Sequence, residues 1–278
     1  MGKILVTGAT GYLGREVLKY LDKGRVRCLV RKGKIADVEQ IHGDVTDAAS
    51  LQEAVQDVEC VVHLAAVTHA KEDYLFQLVN VNGTKNLLEA SKKAGVKHFI
   101  FVSSMAAARK FLDVYGKSKK MAEGLVKDSG VPYTILRPTM MYGGESRAVK
   151  DFLGYLRRFP LIVPVLGSGS GRIQPVHVDD VARIIARSIE QGSKNKAYAV
   201  VGGTTISMNY FIDFVLSRLR VKKLKVHIPL KIAGFFGGLF GLKREFIKSL
   251  AFENLGDAGV LETDFRVKPR RLSQAFKV

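Results

Sequence analysis

The stretch Lys3-Ile4-Leu5-Val6-Thr7-Gly8-Ala9-Thr10-Gly11-Tyr12-Leu13-Gly14 decides the fold. An aliphatic run of strand length meets glycines at 8, 11 and 14, then passes into residues 12–21, where apolar side chains recur at helical spacing. Glycines so placed let the backbone turn tightly, approach a pyrophosphate closely and pack a helix onto a strand, while the helix N-terminus faces the anion. Gly8, Thr10, Gly11, Tyr12, Leu13 and Gly14 are therefore expected to hold a dinucleotide.

Outward from this turn, short β-branched runs at 26–30, 40–42, 60–64, 98–103 and 133–136 alternate with helical stretches at 48–55, 75–94 and 116–129. Strand and helix in alternation predict an α/β fold, a doubly wound parallel sheet with helices on both faces and ligands at the carboxyl ends of its strands. After Pro138 the pattern changes to Gly-rich loops and shorter helices. Residues 1–142 are read as a dinucleotide-binding domain to which 172–204 returns; 143–171 and 205–278 are read as a smaller, discontinuous substrate lobe. Pro269 suggests a final segment that packs back.

The chain has 278 residues, 47% hydrophobic and 25% charged, which excludes disordered, collagen-like and disulfide-scaffold classes. Its two cysteines, Cys28 and Cys60, lie in separate apolar runs and read as buried hydrophobes in a reducing cytoplasm. The N-terminal apolar run is too short for a signal peptide, and no stretch is long enough to span a bilayer. The net charge is +18, half of it in residues 214–278 with 14 Lys and Arg against 5 Asp and Glu. Such a field attracts anions, either a phosphorylated substrate or an acidic surface. Nucleic acid is not expected as a partner, because no recognition motif accompanies the charge. Residues 230–242, with Phe235, Phe236 and Phe240 near Lys231 and Lys243, read either as a hydrophobic hairpin or as a peripheral membrane contact. His63, His69, His98 and His177 lack metal-ligand spacing, so no metal is expected.

The second strand ends at Arg31-Lys32, 17 residues beyond Gly14, where an acidic residue would bind the ribose 2′-hydroxyl of NAD and a cation would accept a 2′-phosphate. NADP(H) is favoured, with NAD(H) as the alternative. Tyr115 and Lys119 stand at i and i+4 on one helical face. An ammonium near a phenol stabilises the phenolate and lowers its pKa, which would suit proton exchange with a carbinol or carbonyl.

Several further motifs appear in order: Gly43-Asp44-Val45, His63-Leu64-Ala65-Ala66, Asn80-Val81-Asn82-Gly83-Thr84, Ser103-Ser104, Leu136-Arg137-Pro138 and Val176-His177-Val178-Asp179-Asp180. With the glycine turn and the Tyr115/Lys119 pair, they resemble the extended short-chain dehydrogenase/reductases, a Rossmann-type family that includes nucleotide-sugar epimerases and dehydratases. The resemblance implies Tyr115 as acid/base, Ser104 as a hydrogen-bond donor to the reacting oxygen, and Lys119 on the nicotinamide ribose. It places Asp44 and Val45 at the adenine and has Leu64, Ala65, Ala66 and Pro138 join the cofactor-binding set, while Asn82 stays open between a site residue and an ordinary polar helix residue. It also implies a homodimer through the helices at 75–94 and 116–129.

Two departures separate the chain from the sugar-nucleotide enzymes. Only 11 positions divide Ser104 from Tyr115, and the position that often carries a phosphate-binding Arg is Ile173, with Arg172 out of register. Gln174-Pro175-Val176 is instead similar to a shorter subgroup that includes the NADPH-binding accessory subunit of respiratory complex I. The leading expectation is an NAD(P)-dependent oxidoreductase or epimerase/dehydratase acting on a small molecule, a nucleotide sugar among the options. The alternative is a non-catalytic NADPH-binding accessory or regulatory subunit.

Overall fold

The computed structural model describes residues 2–230, 232 and 253–275. Six strands follow one another from the start: β1 (Lys3–Thr7), β2 (Val26–Val30), β3 (Glu39–His42), β4 (Val58–His63), β5 (His98–Val102) and β6 (Tyr133–Pro138). Short strands β7 (Met141–Tyr142), β8 (Ile162–Leu166), β9 (Arg172–Ile173) and β10 (Val176–His177) precede β11 (Lys196–Val200), and β12 (Ile206–Ser207) and β13 (Leu224–Ile228) come last. The sheet order is β11-β6-β5-β4-β1-β2-β3, all parallel. The order reverses between β4 and β1, and this switch opens a crevice at the carboxyl edge.

The helices are α1 (Tyr12–Leu18), α2 (Ala48–Ala54), α3 (Gly83–Lys93), α4 (Val114–Asp128), α5 (Arg147–Arg158), α6 (Val178–Gln191), α7 (Met208–Leu219), α8 (Ala258–Phe265) and α9 (Leu272–Ala275). Because successive strand residues point to opposite faces, Ile4 and Val6 meet Val17 of α1, Ile184 of α6 and Phe265 of α8. Leu5 turns the other way and packs with Leu51, Leu87 and Ala122 of α2, α3 and α4. Each such fully buried side chain contributes roughly 1.5–3 kcal/mol. Cys28 and Cys60 are free thiols inside β2 and β4, and burial pushes them up to about 11 and about 12.

One expected element differs. Residues 75–94 form a π-helical turn, Phe76–Asn82, before α3 begins at Gly83. The Thr84 hydroxyl donates to the Asn80 carbonyl at 2.6 Å, competing for a backbone acceptor and accompanying the wider turn.

A third core of Tyr142, Leu156, Val163, Val165, Phe211 and Val215 joins β7, α5, β8 and α7 into a second lobe. The final segment returns as expected: the Arg270 amide donates to Asp180 Oδ2 at 2.8 Å and its guanidinium pairs with Asp179. No described helix is long and apolar enough to cross a membrane. Most of the 230–242 stretch lies outside the described residues.

Candidate active site

At the β1–α1 turn, Gly8 has φ +71°, and a Cβ there would come within 2.7 Å of the Ala65 amide. A Cβ on Gly14 would lie 2.4 Å from the Gly8 carbonyl. Only bare backbone fits both positions, so the turn is a cradle of the shape that a pyrophosphate needs. Gly11 closes it by donating to the Gly8 carbonyl at 3.0 Å. Thr10 is exposed, and its carbonyl accepts from Arg15 Nε at 3.0 Å. The Tyr12 hydroxyl donates to the Gly143 carbonyl at 2.6 Å, tying the cradle to the loop after β7. Leu13 points into the core, leaving its backbone to the site.

Beside the cradle, Leu64 and Ala65 follow β4, their amides donating to the Thr7 carbonyl and hydroxyl at 3.2 and 3.3 Å. Ala66 is exposed. Arg31 and Lys32 stand exposed after β2, and Arg31 Nη1 lies 3.6 Å from Asp44 Oδ2. Burial opposes ionisation of Asp44, but bonds from the Thr46 amide and hydroxyl, together with Arg31, hold its carboxyl below the usual range. Val45 is 5% exposed and Pro138 is buried at the end of β6, so their side chains belong to the packing.

At the β5 end, Ser104 caps the turn Met105–Ala108 by accepting from the Ala106 amide at 3.1 Å. Its own proton is left to donate to the Tyr115 hydroxyl. Asp113 caps α4, accepting from Gly116 at 2.7 Å, and a Cβ on Gly116 would fall 2.8 Å from the Ala106 carbonyl. The loop is thus pressed onto the helix and brings Ser104 to Tyr115. Burial raises the Tyr115 phenol, the Ser104 hydrogen bond opposes that, and the Asp113 charge adds to it. The expected lowering by Lys119 is not seen. Lys119 is 2% exposed, donates to the Val102 carbonyl at 2.8 Å and sits 4.2 Å from the centre of the Phe101 ring. Burial pulls its ammonium down to about 7, against the Glu123 carboxylate, which favours the charge.

Glu123, one turn beyond Lys119, escaped the sequence reading. It is 3% exposed, accepts from Ser103 Oγ at 2.6 Å and receives Arg137 Nε and Nη2 at 2.8 and 2.5 Å. Its place four residues after Lys119 was the available signal. Asn82 is exposed on the helical turn, while Asn80 is buried. Asn80 donates to Ser118 Oγ at 2.9 Å and brackets the Val67 backbone, accepting from its amide at 2.8 Å and donating to its carbonyl at 2.9 Å.

A one-way relay backs this arrangement. Because Thr84 gives its proton to Asn80, it must accept from His63 Nε2 at 3.0 Å; His63 Nδ1 then accepts from Thr7 Oγ1 at 2.7 Å. Burial, aided by the Lys119 charge, drops the His63 imidazole to about 3 and keeps it neutral.

Arg172 is spent on Glu253, with Nη2 2.7 Å from Oε2, and Ile173 pairs with Ile206 in β12. A small cavity of about 130 Å³ opens beside Met105, Ala108 and Arg109. No cluster of metal-ligating side chains occurs among the described residues.

A wholly parallel sheet with a topological switch and a glycine cradle at its first turn defines a Rossmann-type dinucleotide-binding protein. The NAD dependent epimerase/dehydratase family matches residues 4–201, and the chain belongs to that family. It is 29% identical over 254 residues to NADH dehydrogenase [ubiquinone] 1 alpha subcomplex subunit 9, mitochondrial, of Mus musculus, covering 85% of this chain and 66% of that one. The chain therefore spans about two thirds of that relative's length. It is 28% identical to UDP-glucose 4-epimerase of Vibrio cholerae, with 99% and 93% covered. A dTDP-glucose 4,6-dehydratase from Streptomyces venezuelae, solved with NAD, shares the fold at TM-score 0.77 and 21% identity, with 97% and 92% covered.

Proposed function

We propose that the protein is an NAD(P)-dependent oxidoreductase or epimerase/dehydratase in which Tyr115 moves a proton at a carbinol or carbonyl oxygen. The observation that carries this reading is the Ser104–Tyr115 hydrogen bond at the β5 end of the same edge that holds the glycine cradle, with Lys119 one turn further along α4 and bonded to the Val102 carbonyl. The nicotinamide, when bound, supplies hydride exchange with the substrate carbon. Ser104, hydrogen-bonded to Tyr115, turns that donor to the substrate oxygen and orients it. Tyr115, whose phenol burial raises, is in the acid form that donates to a carbonyl oxygen as it is reduced. Lys119, one turn beyond Tyr115 on α4, holds the nicotinamide ribose in this reading, and substrate enters between this edge and the second lobe.

Gly8, Thr10, Gly11, Tyr12 and Gly14 hold the pyrophosphate in this reading, with Leu13, Val45 and Pro138 contributing backbone or packing. Asp44 lies at the adenine, and Leu64, Ala65 and Ala66 line the nucleotide. Arg31 and Lys32 favour NADP(H), since two exposed cations face the place where a 2′-phosphate would lie. A homodimer through the helical stretch at 75–94 and α4 is supported by Leu78, in the π-helical turn, and Met121, exposed by 38% and 51%. Tyr115→Phe should lower kcat by about 10²–10⁴-fold without weakening nicotinamide binding. Full turnover by that variant on an identified carbonyl substrate would overturn the mechanism.

A second reading, a non-catalytic nucleotide-binding subunit, is favoured by the similarity to the mitochondrial subunit and by the short loop from Ser104 to Tyr115. A stable assembly with membrane proteins, together with no turnover on a panel of carbonyls and nucleotide sugars, would select it.

A further inference from the structure

We infer that the segments at 157–161, from the end of α5 toward β8, and at 220–224, from the end of α7 into β13, side by side in the second lobe, form a docking surface for an anionic lipid bilayer. Strands β8 and β13 run parallel with Leu224 opposite Ile162, and the Leu224 amide donates to the Leu161 carbonyl at 3.0 Å. Lys223 Nζ crosses between the segments, donating to the Leu156 and Phe159 carbonyls at 2.6 and 2.7 Å. The two segments are thus fastened into one surface.

That surface exposes what folding normally hides. Leu161 is 79% exposed and its neighbour Leu224 69%, with Val221 at 40%. Single exposed leucines need no explanation, but two fixed side by side, with a third apolar residue three positions along the chain, do. Around them stand Arg157, Arg158, Arg220 and Lys222, all exposed and none in an ion pair with a described residue. Asp213, a carboxylate in the shallow cavity that Arg220, Val221 and Lys222 line, is already paired with Lys225 at 2.6 Å. The local charge is therefore strongly positive around an apolar centre.

The occupant follows from that combination. Cations alone would suit a nucleic-acid backbone, but phosphates and riboses give no return for two protruding leucines. At a bilayer surface the leucines enter the headgroup and acyl boundary while the cations meet anionic lipid headgroups, each adding to the attraction within a Debye length. No described helix crosses the bilayer, so the contact is peripheral.

The test is flotation of the full chain with phosphatidylcholine vesicles, alone and with about 30% phosphatidylglycerol, at about 0.1 and 0.5 M salt. Binding is expected only to the anionic vesicles, and weaker at high salt. The double variant Leu161→Ser/Leu224→Ser and the triple variant Arg157→Glu/Arg158→Glu/Lys222→Glu should each bind at least about tenfold less. Replacing Arg157 and Arg158 with Lys should preserve binding, and nicotinamide binding by every variant reports an intact fold. No flotation of the wild type, equal flotation on neutral vesicles, or retention of binding by both disruptive variants would overturn the proposal. Salt-sensitive capture on single-stranded DNA without flotation would assign the surface to nucleic acid instead.

Discussion

At the β5 end of the sheet, Ser103, Lys119 and Glu123 are each at most 5% exposed, and their polar atoms are bonded at 2.5–2.8 Å. At the β2 end of the same edge, the Arg31 side chain is 71% exposed and stands 3.6 Å from Asp44. The first region places chemistry by burial: each charge there is costly unless its partner is present, so its members are fixed together. The second is solvated, so a change there leaves the fold alone. One edge thus holds a buried, mutually fixed cluster and a solvated pair.

Glu123→Ala cuts deepest into this contrast, because it leaves Arg137 and Lys119 without their buried carboxylate. A loss of about 3–5 kcal/mol is expected in urea denaturation, and a loss below about 1 kcal/mol would break the comparison. Acid comes next. His63 is held down to about 3 by burial and then by the Lys119 charge, and His98 to about 4 by burial, whereas unfolded imidazoles protonate near 6.5. Between those values the unfolded chain binds more protons, so stability falls as pH drops below 6.5. Roughly 2 kcal/mol per imidazole should be lost from pH 6.5 to 5, and His63→Gln should remove its share of that slope. The smallest effects belong to the β2 end. Arg31→Asp should shift preference from NADPH toward NADH by about tenfold in a fluorescence titration, while Arg31→Ala should move stability by under about 0.5 kcal/mol. An NADH preference in the wild type would remove the ground for assigning a 2′-phosphate to Arg31.

Much of the sheet was legible because its signals are local. The apolar runs end at Thr7-Gly8 and at Val30-Arg31, and β1 and β2 end there too. The periodicity of residues 75–94 concealed a π-helical turn, since it assumes a constant pitch; with the pitch changed, Asn80 faces the interior and Asn82 faces solvent. Tyr115, Lys119 and Glu123 share a face at steps of four, yet Glu123 finds Arg137 on a different element. Such a partner is set by tertiary packing and leaves no trace in spacing. Strands β9, β10 and β12, two residues each, are too short to carry a period at all.

The two cysteines have a practical consequence. Cys28 is 0% and Cys60 4% exposed, and both thiols are pushed to about 11 and about 12, so at neutral pH neither offers thiolate to a maleimide. Toward thiol reagents the native chain should behave as a cysteine-free scaffold. A cysteine placed at Leu161 would then be the single labelled position, and a polarity-sensitive dye attached there would report what that surface meets.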